Sequence, residues 1–501
     1  MTNNTAQQFI LSIDQGTSST KSLIFDTTGK VLAKANEALK TNYSANGFVT
    51  QNPEDIYQNV LASVGNCLQQ FEENGGDRNK VVTCGISNQR ETFVVWDKYG
   101  KPLYNAVVWQ CKRSIEVCNQ LKNDGLEPLI KERTGLIIDP YFSATKLIWL
   151  YRNEPKVKDA IDNGEAYFGT VDTWLLYKLT DGEQYLTDHT NASRTLLFNL
   201  KTLNWDKDIL EAFGLSKLNL PKIQPSASEF GESIINHLFK KPIKITAMIG
   251  DSHAAAFGEG CFAPGTAKAT LGTGCSVLMN IGNEPTPSKN GMVTTVCWST
   301  KERVDYALEG VIVSCGATIE WLKNEMGLFK DSRETEEIAK QVVDNNGVYL
   351  IPAFSGLGAP HWDMNRKAEI VGLNFNCNKN HVVRAALESV AYQLKDVVLA
   401  MEEDSNIRLS ALMVNGGMTQ NEFLMQLIAD TLECQLNKGN TPDVSALGAG
   451  LLAGLTVGIY KNLDSIKSNR NIFKSYTPED SLAGIYYKEW LGYVKKGNTL
   501  C

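Results

Sequence analysis

The chain has no Cys-x-x-Cys pair. Its 11 cysteines are scattered, and Cys84, Cys261, Cys275 and Cys315 stand in apolar surroundings where cysteine behaves as a small hydrophobe. That pattern excludes a thiolate metal cluster and fits a reducing cytoplasm. No apolar stretch reaches the roughly 20 residues of a membrane-spanning helix, so no membrane insertion is expected. The polar start Met1-Thr2-Asn3-Asn4 leads toward a strand rather than into a signal-peptide pattern, and a cytoplasmic protein is expected. There is no basic run and the net charge is −7, which argues against nucleic acid as a partner and makes any phosphate site a local one. A Walker sequence is also missing. What remains is 501 residues, 43% hydrophobic and 21% charged, enough chain for at least two cores.

Against that background one segment stands out. Asp14-Gln15-Gly16-Thr17-Ser18-Ser19-Thr20-Lys21 lies between the apolar run at 9–13 and the alternating residues 22–26, and reads as a β-hairpin. Its Gly, Thr and Ser let backbone N–H groups and hydroxyls approach phosphate oxygens, Lys21 adds a cation, and Asp14 at a strand end can hold hydrated Mg²⁺. Half a chain later, Thr270-Leu271-Gly272-Thr273-Gly274-Cys275-Ser276 again sets Gly-Thr between two apolar strands. A repeat on that scale implies two similar α/β halves, each lending a hairpin to a nucleotide in the cleft between them.

Other constellations sit at strand ends. Asn88-Gln89-Arg90-Glu91-Thr92 separates two strand patterns. Arg90 offers a fork of donors and Glu91 an acceptor, the complement of vicinal hydroxyls, with a plain surface ion pair as the alternative. Trp109 and Tyr141 can cover the carbon face of a polyol or simply fill a core. The strand pattern 243–249 ends in Gly250-Asp251-Ser252 before a small-residue helix. Asp251 can take the proton of an attacking alcohol in phosphoryl transfer, or cap that helix. Asn415-Gly416-Gly417-Met418, between a strand pattern and a helical one, lets backbone pass a flat adenine or makes only a tight turn. Residues 445–454 form a small-residue helix suited to close packing. The Pro264-Gly265 turn suggests a boundary, giving lobes at 1–257 and 258–501.

Six blocks in this order resemble the FGGY carbohydrate kinases over nearly the whole chain. They are Asn88-Gln89-Arg90-Glu91-Thr92, the segment 104–110, Asp139-Pro140-Tyr141-Phe142-Ser143, the segment 169–175, Asn191-Ala192-Ser193-Arg194-Thr195 and the segment 352–360. The resemblance implies an α/β protein of two ribonuclease-H-like lobes, of the actin and hexokinase type, flanking a nucleotide cleft. It implies ATP and Mg²⁺ as cofactors and phosphorylation of a polyol, with glycerol the expected substrate and sn-glycerol 3-phosphate the product. Roles carry over by position. Asp251 is the general base; Arg90, Glu91, Trp109, Tyr141 and Ser252 line the polyol; Asp14, through water, and Asp251 hold Mg²⁺. Thr17, Ser18, Ser19, Lys21 and Thr273 contact phosphates, and Gly316, Glu320, Gly417 and Asn421 surround the nucleoside. Family members often form homodimers or homotetramers, but no residue here marks an interface.

The sequence also departs from the family's glycerol-phosphorylating members. Lys21 stands where Arg is usual, keeping the charge and losing the fork. Ser252-His253 replaces Gln-Gln, Ser276 replaces a pocket-walling Phe, Leu271 replaces a Tyr, and Glu320 a Gln. An aromatic wall supplies ~150–250 Å² of buried surface, so a wider, wetter pocket is expected. The alternative substrate is a four- or five-carbon polyol or ketose such as erythritol, threitol or xylulose. An alternative of another class is a silent, sugar-binding regulator, against which the retained Asp14 and Asp251 argue. Segment 234–241 lacks the Gly-Arg loop through which some relatives bind a sugar bisphosphate, so that regulation is not expected.

Overall fold

The apolar run near the start becomes a strand with no solvent face. Phe9, Ile10, Leu11 and Ile13 are all buried, as a central strand covered on both sides requires. This strand, β1 (Phe9–Gln15), turns through Gly16 into β2 (Ser19–Phe25) and β3 (Val31–Ala38). The chain then adds β4 (Val81–Asn88), β5 (Ala227–Ser233) and β6 (Ile243–Gly250). The order across the sheet is β5-β6-β4-β1-β2-β3, with β1 and β6 parallel to β4 and β2 antiparallel to β1. Helix α1 (Pro53–Glu73) makes the crossover to β4, and its start is set locally: Asn52 caps the Glu54 N–H, Pro53 opens the first turn, and Glu54 and Asp55 suit the positive helix end. The computed structural model describes residues 7–468, 472–479 and 482–496.

The second half repeats the plan. Its strands are β7 (Thr266–Leu271), β8 (Cys275–Gly282), β9 (Val293–Ser299), β10 (Val304–Ile312), β11 (Ala411–Asn415), β12 (Leu436–Gly439) and β13 (Ile472–Tyr476). Their order is β9-β10-β8-β7-β11-β12-β13. Without the flanking strands the two sheets become β3-β2-β1-β4-β6 and β10-β8-β7-β11-β12, with the same parallel and antiparallel pairings. This is the expected ribonuclease-H-like arrangement, twice. Both Gly-Thr turns fall between the first and second strands, and Thr270 occupies in the second lobe the place of Asp14 in the first.

A smaller sheet joins Asn42–Tyr43, Val49–Gln51, Ala106–Val107, Phe93–Trp96 and Tyr167–Thr170. Helix α2 (Ser143–Asn153) shares its core, and this unit carries Trp109 and Tyr141 to the cleft. Four further helices matter to the site and a fifth joins the lobes: α3 (Asp251–Gly258), α4 (Gly316–Asn324), α5 (Lys379–Ser405), α6 (Glu422–Leu432) and α7 (Val444–Thr456). Helices α3 and α7 cross at backbone contact, because a Cβ on Gly448 would lie 1.8 Å from the Ala254 carbonyl oxygen. The small residues of 445–454 serve that approach. Among the described residues no helix is long and apolar enough to cross a membrane.

Candidate active site

Strand β6 ends at Gly250, which takes the cap position of α3 without a side-chain bond, so Asp251 is the first helical residue and its carboxylate is not spent as a cap. Asp251 Oδ1 accepts the Ser252 N–H at 2.6 Å and stands 3.3 Å from Arg90 Nε. It opens onto a cavity of about 380 Å³ whose lining includes Thr17, Arg90, Glu91, Trp109, Tyr141 and Ser252. The structure therefore brings together every residue expected to line a polyol.

Arg90 and Glu91 do not form a surface pair. Each is at least 93% buried and has a distant partner. Arg90 makes a two-pronged contact with Glu309, at 2.8 and 3.1 Å. Glu309 also takes Arg194 Nη1 at 2.7 Å, and Arg194 Nε donates to Glu91 at 2.5 Å. The result is a chain of alternating charge, Asp251–Arg90–Glu309–Arg194–Glu91. Burial alone would raise the Glu309 carboxyl, yet Arg194 and Arg90 hold it well below the usual carboxylate range. At Glu91 burial prevails over the same two cations and the carboxyl is raised. Glu91 also sits at φ +60°, a left-handed conformation that stores about 1–3 kcal/mol in a residue other than glycine.

Trp109 Nε1 donates to Thr17 Oγ1 at 2.9 Å, and the Trp109 and Tyr141 rings meet edge to face at 5.5 Å. The aromatic wall of one pocket is thus tied to the turn of the first hairpin. Thr17 is at the cavity, whereas Ser18, Ser19 and Lys21 stand on the same hairpin outside its lining. The Ser19 carbonyl closes the turn by accepting the Gly16 N–H at 2.9 Å. Lys21 Nζ lies 3.0 Å from Asp443 Oδ1, whose other oxygen takes Lys34.

The departures from the family pattern do not all reach the pocket. Leu271 follows Thr270 on a strand and so faces the opposite side, fully buried in the second lobe's core. His253 is also fully buried, with Nε2 3.4 Å from Thr295 Oγ1, and burial pushes its imidazole well below the ordinary value. Ser252 and Ser276 do line the cavity, but the wall there is not simply open to water: Lys268 Nζ donates to Ser252 Oγ at 2.5 Å and reaches Ser276 Oγ at 3.4 Å.

A second cavity of about 370 Å³ lies in the other lobe, lined by Thr273, Gly316, Glu320, Gly417 and Asn421 together with Arg333. The Gly316 N–H donates to the Gly272 carbonyl at 2.9 Å, and a Cβ on Gly316 would meet that oxygen at 2.6 Å. Gly416, at φ +98° with Leu271 O 2.4 Å from its Cβ position, is the glycine the backbone demands. Gly417 faces open space instead, which leaves room for a planar base. Asn421 caps α6 by accepting the Leu424 N–H at 2.9 Å, and Glu320 on α4 accepts from Ser332 Oγ at 2.6 Å.

Asp14 accepts a hydrogen bond from Ser87 Oγ at 2.7 Å. Burial, with Asp251 and Asp443 nearby, pushes its carboxyl up to about 6 against the pull of Ser87 and Lys21. Among the described residues there is no cluster of three or more His, Cys, Asp or Glu side chains that could cage a metal. Asp14 and Asp251 are near enough for one to raise the other's carboxyl, and a pair of carboxylates is the protein share of the ligands that suits Mg²⁺, which keeps several waters and takes phosphate oxygens as ligands.

Sequence reasoning singled out neither Glu309 nor Lys268, and Arg194 stood there only inside the block Asn191–Thr195. The signal available was a lone carboxylate, Glu309, within the apolar strand pattern of 306–312.

The N-terminal domain of the FGGY family of carbohydrate kinases matches residues 9–258, and its C-terminal domain matches residues 267–457. The chain is 42% identical over 493 residues to a glycerol kinase of Desulfitobacterium hafniense, covering 98% of this chain and 99% of that one. It is 43% identical over 492 residues to a glycerol kinase of Thermoanaerobacter sp., covering 98% of each. The crystal structure of Plasmodium falciparum glycerol kinase with ADP superposes with a TM-score of 0.93 at 35% identity, covering 98% of both chains. Two lobes of one topology, a carboxylate at the mouth of a polar pocket and these matches across the whole chain lead to one conclusion: the chain belongs to the FGGY family of carbohydrate kinases.

Proposed function

We propose that this chain transfers the γ-phosphoryl group of ATP to a terminal hydroxyl of glycerol, giving sn-glycerol 3-phosphate and ADP in the cytoplasm. The observation that carries the reading is Asp251: 3.3 Å from Arg90 Nε, unspent as a helix cap, and open to a polar cavity that adjoins the hairpins of both lobes. The names of the relatives favour glycerol over longer polyols. In this reading residues 1–257 supply the polyol and metal side and residues 258–501 the nucleotide side.

Glycerol lies against Trp109 and Tyr141, with Arg90 donating to one hydroxyl and Glu91 accepting from another. As the third hydroxyl oxygen bonds to phosphorus, its proton passes to Asp251 and the bond to the bridging oxygen of ADP breaks. Thr17 and Thr273 present the two hairpins to the phosphates, and Gly417 leaves space for the base. Asp14, through water, and Asp251 would hold Mg²⁺, which would supply neutralisation of phosphate charge.

The test is ATP-dependent phosphorylation of glycerol by the purified chain, with Asp251→Asn alongside. Loss of a general base lowers kcat by about 10²–10⁴-fold. A silent sugar-binding protein would bind glycerol without turnover, and an Asp251→Asn variant of normal activity would end the base assignment.

A further inference from the structure

The wall at Ser252 and Ser276 has a fixed hydrogen-bond polarity. Strand alternation and register place Lys268, Thr270 and Ser276 on one face of the second lobe's sheet, with Thr270 directly opposite Ser276. Lys268 is 1% exposed and Glu309 2%, while Ser252, Thr270 and Ser276 are half-buried at the cavity. An ammonium group can only donate. The Lys268 protons go to Ser252 Oγ at 2.5 Å, Thr270 Oγ1 at 3.2 Å and Ser276 Oγ at 3.4 Å. A carboxylate can only accept, so the Ser276 hydroxyl directs its proton to Glu309 Oε1 at 3.2 Å.

That assignment leaves two capacities at the cavity that are met only by each other. The Ser252 proton has only Ser276 Oγ, at a long 3.3 Å, as a partner within the wall. Ser276 Oγ keeps a lone pair. One donor beside one acceptor is the complement of a single hydroxyl group, and an aromatic ring at 276 would supply neither.

We propose that Ser252 and Ser276, polarised by Lys268 and Glu309, form a subsite for a hydroxyl of the substrate beyond those held by Arg90, Glu91 and Asp251, so that a four-carbon polyol is phosphorylated beside glycerol. The proposal rests on the reading of the cleft as a polyol kinase. Ser252 and Ser276 touch the added hydroxyl; Lys268 is a positioning residue that orients them.

The experiment compares kcat/KM of the purified full chain for glycerol, erythritol, threitol and butane-1,2,3-triol, the last having the four carbons without the terminal hydroxyl. The better tetrol is expected to exceed the butanetriol by about three- to tenfold, the worth of a hydrogen bond between neutral groups. Ser252→Ala and Ser276→Ala bring that ratio close to one, and Ser276→Phe removes tetrol turnover. Lys268→Met collapses the same ratio by raising KM more than it lowers kcat, a split that general loosening of the fold does not produce. If Lys268→Met does not fold, the two alanine variants decide, since each ratio is internal to one preparation. Equal rates for tetrol and butanetriol in the unaltered chain, or a ratio that survives both alanine variants, overturn the subsite while leaving glycerol phosphorylation standing. No turnover of any polyol, glycerol included, overturns the functional reading and the subsite with it.

Discussion

Glu309 is the centre of the charge chain, and removing it tests the whole arrangement. Its carboxylate faces Arg90 at 2.8 and 3.1 Å and Arg194 at 2.7 Å, all within the protein interior. Glu309→Ala leaves two buried guanidinium groups with one carboxylate each, Asp251 for Arg90 and Glu91 for Arg194. Taking one partner from a buried pair costs about 3–5 kcal/mol, against a total stability of about 5–15 kcal/mol for a domain. Glu309→Gln keeps an acceptor oxygen and should lose roughly half as much on the same scale. Urea unfolding followed by tryptophan fluorescence measures both losses. The pH dependence has a definite sign: a carboxyl held below its ordinary value contributes stability that is present above the unfolded pKa of about 4.3 and disappears as pH falls through the folded value. The difference between the original chain and Glu309→Gln should therefore be constant from about pH 6 to 8 and shrink only in strong acid. Activity should fall too, by about 10²-fold, because Arg90 loses the seat that aims it at substrate and Asp251. A loss below about 1 kcal/mol in both variants, the value of an exposed pair, would refute the claim that these charges act as one buried unit.

Three further outcomes follow from single contacts. Asp14, raised to about 6, binds its proton more tightly folded than unfolded, so its ionisation opposes folding progressively between about pH 4 and 6; Mg²⁺ activation of turnover should weaken below pH 6, and Asp14→Asn should remove that dependence. Gly416→Ala forces a side chain onto Leu271 O and an unfavourable φ, at about 1–3 kcal/mol, and KM for ATP should rise more than KM for glycerol in steady-state assays. Trp109→Phe keeps the ring but loses the 2.9 Å bond to Thr17, worth about 1 kcal/mol; a KM change confined to glycerol would mean that the bond does not couple the two sites.

Much of this was legible in the sequence because it is local. A Gly-Thr turn between two apolar alternations, or an Asp between a strand pattern and a run of alanines, needs no knowledge of partners. The charge chain is different. Glu309 and Arg90 are brought together by the docking of two sheets, and neither strand pattern carries information about the other. Lys268 lies on an alternating strand whose pattern does not say what covers either face, and its face is the floor of the cleft. Leu271 was expected in the pocket although it directly follows Thr270, and the pleat sends consecutive residues to opposite faces.

The crossing of α3 and α7 has a consequence for how such a molecule can work. Glycine at 258 and 448 lets the two backbones touch, and the Ser445 hydroxyl donates to the Asp251 backbone carbonyl at 3.0 Å, so the proposed base stands at the point where these two helices are pinned together. A lever moves least at its fulcrum. A rocking of one sheet against the other about that point would sweep the outer walls of both cavities through an arc and would displace Asp251 least.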